Sequence, residues 1–204
     1  IPKSFVYISS VSVYGLNKGK LVDESSPLLA TDPYGLSKIK VEKLILKWCK
    51  QHNVVCCILR LPLVIGKNPK GNLFKMIKSI KNKYFFNIAD GNAKKSMVLA
   101  DDVARIILKA AKTPGVFNLT DRHHPSFFEF SRLISYQLKR NQPLSLSHSI
   151  AKTLAIIGDI VPIFPFNTNT LIKMTNDLTF SDHKAVKEIG WKPKSVINNY
   201  IIDK

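Results

Sequence analysis

The residues best suited to chemistry are Tyr34 and Lys38, four positions apart in the segment Asp-Pro-Tyr-Gly-Leu-Ser-Lys at 32–38. On a helix, two side chains with this spacing lie on one face, one above the other. Asp32 is a favourable N-cap, and Pro33 suits the first helical position, where a backbone N–H is dispensable. Tyr34 would then lie in the first turn, where the helix dipole is positive. The dipole and the Lys38 ammonium both favour phenolate over phenol, which predicts Tyr34 as a proton-transfer group near neutral pH.

A serine-rich loop precedes this helix. Residues 5–15, Phe-Val-Tyr-Ile-Ser-Ser-Val-Ser-Val-Tyr-Gly, are typical of a buried strand that runs into a hydroxyl-rich loop. Ligands bind at the carboxyl ends of strands in open parallel α/β sheets, so the serines end where a site is expected. A tyrosine and a lysine four apart are common on solvated helix faces, and the interpretation therefore depends on both motifs together.

The order and separation of the two motifs resemble those of extended short-chain dehydrogenase/reductases. The narrower resemblance is to the NAD-dependent epimerase/dehydratase family, whose members act on nucleotide-diphosphate sugars. It continues through Leu-Arg-Leu-Pro-Leu-Val-Ile-Gly (59–66), Gly-Asn-Leu (71–73), Lys-Ser-Met-Val (95–98) and Gly-Trp-Lys-Pro (190–193), and so covers nearly the whole chain.

The resemblance implies a catalytic set of Ser10, Tyr34 and Lys38. Ser10 would hydrogen-bond the substrate oxygen that is oxidised or reduced, and Tyr34 would remove its proton while hydride passes to NAD or NADP. Lys38 would hold the nicotinamide ribose and keep the tyrosine acidic. Ser9 and Ser12 are alternatives for the serine role, and hydroxyls in such a loop can also serve as backbone caps.

Further positions matching the family are assigned to cofactor and substrate. Tyr34, Lys38 and Pro62 would contact the cofactor, and Ser12, Leu63, Asn72 and Lys95 would contact the substrate. Leu63 stands where many epimerases have asparagine. A leucine at this place is also found in family members that resemble 4-keto-sugar reductases, and strand-end packing is the alternative role of Leu63. Asn72 could instead be a helix N-cap. Lys95 replaces the family's diphosphate-clamping arginine, losing the bidentate fork, and could instead be solvated.

The resemblance and the order of elements imply an α/β fold: a partial Rossmann-type, doubly wound parallel sheet plus a small C-terminal α/β substrate-binding part. Residues 1–66 would form the C-terminal half of the nucleotide-binding domain. Residues 67–204 would be mostly substrate-binding, with a segment at about 96–119 returning to the Rossmann sheet. The 9 glycines include no Gly-x-x-Gly-x-x-Gly. We therefore expect a fragment of a longer enzyme, or else a short homologue that no longer binds the cofactor in the usual way.

Local patterns predict the elements that position the site. The catalytic helix is expected from Pro33 to about Gln51 with an inward stripe of Val41, Leu44, Ile45 and Trp48. Asp101 and Ser126 are expected to cap two later helices, and Gly190 to end another.

Two functional hypotheses follow. The first is an epimerase or 4-keto-reductase that acts at C4 of a nucleotide-diphosphate sugar. A dehydratase is disfavoured, because Val11 and Ser12 occupy the places of its Asp-Glu pair. The alternative is a non-catalytic basic binding protein that kept the fold and lost cofactor binding.

The net charge and the cysteine content limit the classes of partner that are expected. The net charge is +17, from 31 Lys and Arg against 14 Asp and Glu, and these are spread along the chain. A lysine-rich surface or a site for diphosphate anions is expected, and nucleic-acid binding is not. The 3 cysteines include adjacent Cys56 and Cys57, which fits a reducing cytoplasm and no disulfide framework.

The remaining partners are predicted from single features. No metal is expected, since the His123–His124 pair is read as solvated. The resemblance allows a homodimer through the catalytic helix. The longest apolar region, 150–166, is interrupted by Lys152, Asp159 and two prolines, so a core helix and loop is favoured over membrane contact.

Overall fold

The computed structural model of the chain describes residues 1–161 and 166–202, which contain nine strands and eight helices. The strands are β1 (Ser4–Ser10), β2 (Gly19–Val22), β3 (Val55–Leu61), β4 (Leu63–Ile65), β5 (Asn87–Ile88), β6 (Met97–Leu99), β7 (Gly115–Asn118), β8 (Ser145–Leu146) and β9 (Leu178–Phe180). The helices are α1 (Pro33–Gln51), α2 (Gly71–Lys81), α3 (Ala100–Ala110), α4 (Phe127–Gln137), α5 (His148–Ile160), α6 (Thr168–Thr175), α7 (His183–Ile189) and α8 (Val196–Asn199). Short 3₁₀ turns lie at Val11–Tyr14 and Ala89–Gly91.

The central sheet consists of β1, β3 and β7 in that order, and all its strands are parallel. Its register places Ser9 beside Arg60 and Arg60 beside Asn118. Because the strands are parallel, their carboxyl ends meet at one edge of the sheet. The serine loop and Pro62 both leave the sheet at this edge.

Helices cover both faces of the central sheet, as in a doubly wound α/β fold. On one face, α3 and α7 pack against β3 and β7 around the fully buried Phe117 and Leu119. On the other, α1 packs against β1 and β3, with Cys49 and Ile58 in the contact. The predicted α/β class with a partial Rossmann-type sheet is confirmed.

Three two-stranded parallel sheets complete the fold, formed by β2 with β9, β4 with β6 and β5 with β8. The helices α5 and α6 pack together over Ile88 of β5. The division into two parts at residue 66 remains a prediction. In the described ranges, no helix combines the length and the apolar character that crossing a bilayer requires.

Several helix caps follow the sequence prediction. The Asp32 side chain accepts from the Gly35 N–H, Ser126 and Glu129 form a capping box, and Gly190 ends α7 with a φ of 63°. The prediction that Asp101 caps α3 is wrong, because the helix begins at Ala100 and Asp101 lies within its first turn.

The predicted inward stripe of α1 is also partly wrong. Leu44 is 66% exposed, whereas the polar Glu42 is buried. The helix turns this carboxylate towards the sheet because Arg60 there neutralises it. His124 departs from the solvated prediction too, since it is half-buried with Nδ1 2.9 Å from Ser96 Oγ. Of the apolar region 150–166, residues 162–165 lie outside the described part.

Candidate active site

Tyr34 and Lys38 lie together on the first turns of α1. The Lys38 ammonium is 5.8 Å from the centroid of the Tyr34 ring and 5.0 Å from that of Tyr7 on β1. Its Nζ donates a hydrogen bond to the backbone oxygen of Ile8, at 3.2 Å. The Tyr34 ring is 56% exposed and thus accessible to a ligand. The fold therefore holds a cation beside an accessible phenol close to the carboxyl end of β1.

Ser10 ends β1 and caps the 3₁₀ turn that follows. Its Oγ accepts a hydrogen bond from the Ser12 N–H at 3.2 Å. A hydroxyl has one donor hydrogen besides its acceptor lone pairs, so this capping role leaves Ser10 able to donate to a substrate oxygen. Ser12 Oγ is buried without a hydrogen-bond partner among the described residues.

Ser9, the other alternative for the serine role, belongs to the interior. Its hydroxyl donates to Glu42 Oε1 at 2.5 Å, and the residue is 4% exposed. This bond engages the only donor hydrogen of the hydroxyl. Ser9 is therefore less suited than Ser10 to contact a substrate.

Gly35 lets the first turn of α1 approach the serine loop. A β-carbon at this position would lie 2.9 Å from the Ser12 backbone oxygen and 2.5 Å from the Ala30 β-carbon. Both distances are below those that real side chains show. A glycine directly after Tyr34 is thus needed for the distance between helix and loop.

Replacing Gly35 with alanine is expected to destabilise the protein by about 1–3 kcal/mol, the usual range for overpacking. Alanine is intrinsically better than glycine in a helix by about 1 kcal/mol, so a net loss isolates the clash. Denaturant unfolding of Gly35→Ala measures the change. Lys40→Ala, at an exposed site on the same helix, should stay within about 0.5 kcal/mol. A Gly35→Ala protein as stable as the parent would contradict the close approach.

A buried polar network lies beneath the tyrosine–lysine pair. Glu42, one turn after Lys38, receives two hydrogen bonds from Arg60, Nε at 3.1 Å and Nη2 at 2.7 Å. Arg60 Nη1 also donates to the Tyr14 hydroxyl at 3.0 Å, and that hydroxyl donates to Asn118 Oδ1 at 2.8 Å. With Ser9 bonded to Glu42, the network joins α1 to all three strands of the central sheet.

The charges in this network stabilise one another. Burial lowers the pKa of Arg60, but the hydrogen bonds with Glu42 and Tyr14 outweigh it and raise that pKa above its ordinary value. Burial raises the pKa of Tyr14, so its phenol stays neutral and can donate to Asn118. Sequence reasoning missed both Glu42 and Arg60. A lone arginine within the apolar strand 55–61 was the signal that could have revealed them.

The predicted substrate residues lie on separate elements. Lys95 is half-buried, and its Nζ donates to the Asn176 backbone oxygen at 2.9 Å. Burial lowers the pKa of Lys95 to about 8. Asn72 is exposed in the first turn of α2, and its predicted N-cap alternative is wrong because Lys70 precedes the helix. In the described ranges, no direct hydrogen bond joins Lys95 or Asn72 to Tyr34.

Pro62 and Leu63 lie where β3 passes into β4. Pro62 is half-buried, and Leu63 is partly exposed beside Met97 of β6. Strand-end packing and ligand contact are both compatible with these positions.

An open cleft of about 560 Å³ lies elsewhere, between the loop after β2 and the start of α7. Its lining is Asp23, Glu24, Ser25, Ser181, His183 and Lys184. It lacks the exposed phenol and paired ammonium found on α1. We therefore place the candidate active site at Tyr34 rather than in this cleft.

The residues present fit one end of a nicotinamide cofactor. An accessible phenol, an ammonium and a strand end converge at the carboxyl edge of a parallel sheet, where such ligands bind. Tyr34, Lys38 and Pro62 remain the residues predicted to hold it. The Gly-rich turn that binds a pyrophosphate does not occur in the sequence.

A parallel α/β sheet with a tyrosine–lysine helix at its carboxyl edge is the arrangement of the short-chain dehydrogenase/reductase class. The model of the NAD dependent epimerase/dehydratase family matches residues 2–120 of the chain. The chain belongs to this family.

Named relatives and a solved structure agree with the family. The N-acetyl-alpha-D-glucosaminyl-diphospho-ditrans,octacis-undecaprenol 4-epimerase of Escherichia coli O157:H7 is 29% identical over 59% of this chain and 38% of that protein. The UDP-glucose 4-epimerase of Vibrio cholerae is 25% identical over 96% of this chain and 60% of that protein. The UDP-glucuronic acid 4-epimerase of Bacillus cereus, solved with NAD, has a TM-score of 0.70 at 18% identity and covers 96% of this chain and 57% of its own. The chain thus spans 38% of the length of the first of these two curated relatives and 60% of the length of the second.

Proposed function

We propose that this chain carries the catalytic helix and the sugar-binding part of an NAD(P)-dependent epimerase or 4-keto-reductase. Its substrate would be a nucleotide-diphosphate sugar, and the chemistry would occur at C4. The observation that supports this most directly is the Lys38 ammonium held beside the accessible Tyr34 phenol at the carboxyl edge of the sheet.

The family resemblance and the positions of these groups support the following roles. Tyr34 takes the proton of the C4 hydroxyl, and Lys38 stabilises the resulting charge distribution. Ser10 donates its remaining hydrogen to the same oxygen. A bound nicotinamide cofactor supplies the hydride acceptor. The protein therefore contributes proton transfer, orientation and charge.

We propose that the active enzyme is longer than this chain. The strand β1 pairs only with β3 in the described structure, and its Phe5 and Ile8 are partly exposed. Parallel strands are ordinarily covered and paired on both sides, so this edge is suited to a further strand. A preceding segment with the pyrophosphate-binding turn would supply it.

The test of the function is hydride transfer by the longer enzyme with a panel of UDP- and dTDP-sugars and their 4-keto forms. Epimerisation, or reduction of a keto-sugar with NADH or NADPH, is the expected result. Absence of turnover together with absence of cofactor binding would support the alternative of a non-catalytic basic binding protein. Calorimetry with the 204-residue chain is expected to show no tight NAD binding, and stoichiometric binding would overturn the proposal of a longer enzyme.

Binding of the diphosphate is expected to weaken as the pH rises from about 7 to about 9. The burial that lowers the pKa of Lys95 to about 8 leaves its ammonium charged below that pH and neutral above it. Calorimetric titration of UDP into the longer enzyme across this range measures the effect. Lys95→Arg should remove the pH dependence, since arginine stays protonated.

Two further variants serve as controls for this prediction. Lys95→Met should bind weakly throughout the range, and Lys43→Met, at an exposed site on α1, should behave like the parent protein. The same pH dependence in Lys95→Met would show that another group titrates and that Lys95 does not bind the diphosphate.

A further inference from the structure

The helix α5 exposes its large aliphatic side chains and buries its small residues. Its buried positions are Ala151, Ala155 and Gly158, and the two alanines pack against Leu171 of α6. The exposed aliphatic residues of the helix and its C-cap are Ile150, Ile156, Ile157, Ile160 and Val161, of which Ile160 is 76% exposed. We call these five residues the α5 surface. Burying an isoleucine side chain is worth about 1.5–3 kcal/mol, so this arrangement is costly in water.

Helical spacing makes the α5 surface continuous. Ile150 and Ile157 are seven positions apart and lie on one face, Ile156 and Ile160 form the adjacent row, and Val161 follows as the C-cap. The same helix also exposes Lys152 and Asp159, and a helix that combines an apolar face with charged residues is of the kind that lies in a bilayer interface. The outward side of α5 is therefore suited to an apolar medium beyond the chain.

Further exposed apolar side chains lie beside β5 and β8, the strands that pack against α5. Leu144 precedes β8, and its backbone oxygen accepts from the Asn87 N–H of β5 at 2.9 Å. Leu144 and, on the β5 side, Tyr84 and Phe86 are exposed. Tyrosine and phenylalanine with accessible rings suit the boundary between water and the acyl chains.

Basic residues are frequent in the segments that lead into β5 and β8, the two strands nearest α5. The segment 67–83, which runs through α2 towards β5, contains six lysines and no acidic residue. Lys139 and Arg140, between α4 and β8, are exposed as well. An apolar helix face flanked by basic residues is the pattern of proteins that bind an anionic bilayer surface, where each basic residue near the surface contributes about 1 kcal/mol.

The charge also decides between a membrane and a second copy of the chain. In a symmetric dimer the same patch of both copies would meet, and the lysine-rich margins would face each other. Each copy carries a net charge of +17, so this contact would be repulsive at its rim. An anionic lipid surface complements both the apolar face and the charge.

We propose that the α5 surface, with its basic surroundings, binds the surface of an anionic lipid bilayer and lies in the interface without crossing it. The aliphatic side chains enter the boundary between headgroups and acyl chains, and the lysines contact lipid phosphates. This inference goes beyond the proposed function and does not depend on it.

The experiment is co-sedimentation of the protein with phosphatidylcholine vesicles that contain or lack phosphatidylglycerol. Binding to the phosphatidylglycerol vesicles, reduced by salt, is expected. Ile157→Glu/Ile160→Glu should weaken it by more than about tenfold, since two apolar contacts are replaced by charge. Leu108→Glu is the matched control on α3, where Leu108 is 80% exposed, and it should change binding less than about twofold.

Two further measurements keep the proposal open to refutation. Melting temperatures establish that the variants remain folded, and in Ile160→Trp the added indole's emission should shift to the blue on vesicles. Equal binding by the parent and the double glutamate variant would overturn the proposal, as would absence of binding to the anionic vesicles. Self-association of the parent that the double variant abolishes would assign the surface to a second copy instead.

Discussion

Replacing Glu42 with alanine is expected to lower the free energy of unfolding by about 3–5 kcal/mol, the usual cost of removing one partner of a buried ion pair. The change leaves the Arg60 guanidinium, 6% exposed at its side chain, without its carboxylate. It also removes the acceptor of the Ser9 hydroxyl. Denaturant unfolding followed by circular dichroism measures the loss.

Two variants separate the buried charge from other effects of the substitution. Glu188→Ala removes an exposed glutamate of α7 and should change stability by less than about 0.5 kcal/mol. Glu42→Leu/Arg60→Leu removes both charges and should be less destabilised than Glu42→Leu alone, because no unpaired charge remains. If the double variant is the less stable of the two, the cost does not come from an unpaired charge.

Replacing Tyr34 with phenylalanine is expected to lower kcat of the longer enzyme by about 10²–10⁴, the range of general acid–base catalysis. The variant keeps the ring beside the Lys38 ammonium and loses only the hydroxyl that would take the proton. Since Tyr34 is 56% exposed, stability should be nearly unchanged. Steady-state rates with the substrate found in the sugar panel measure the effect, and KM should move little.

Tyr136→Phe is the matched control, because Tyr136 is an exposed tyrosine on another helix, α4. It should retain the parent rate. A Tyr34→Phe enzyme with unchanged kcat would exclude this phenol as the proton acceptor, whatever the protein's sugar substrate. Loss of substrate binding with unchanged kcat would instead assign Tyr34 to binding.

Local chemistry allowed much of the helix geometry to be predicted. The cap at Asp32, Pro33 in the first turn and the left-handed end at Gly190 depend on residues within one or two turns of each other. The two N-cap predictions that are wrong, at Asp101 and Asn72, also relied on local chemistry alone. In both cases the helix begins one or two residues earlier than the cap residue suggested, because the preceding strand or loop determines where the chain turns.

The outward face of α5 could not be predicted from its composition. An apolar segment of this length suits a buried core helix as well as a helix with an exposed apolar face, and the sequence analysis favoured the core helix. Only packing against α6 showed that Ala151 and Ala155 face inward, which leaves Ile157 and Ile160 exposed. Small residues suit the contact between α5 and α6 because they let the two helices approach closely.

The sequence by itself determined the spacing of Tyr34 and Lys38, since a helix brings residues four apart together wherever it lies. Tertiary structure alone decided the support beneath them. Parallel pairing sets Ser9, Arg60 and Asn118 side by side on three strands. Glu42 of α1 accepts hydrogen bonds from Ser9 and Arg60. Contacts between residues far apart in the chain depend on strand register and helix rotation, which no local pattern encodes.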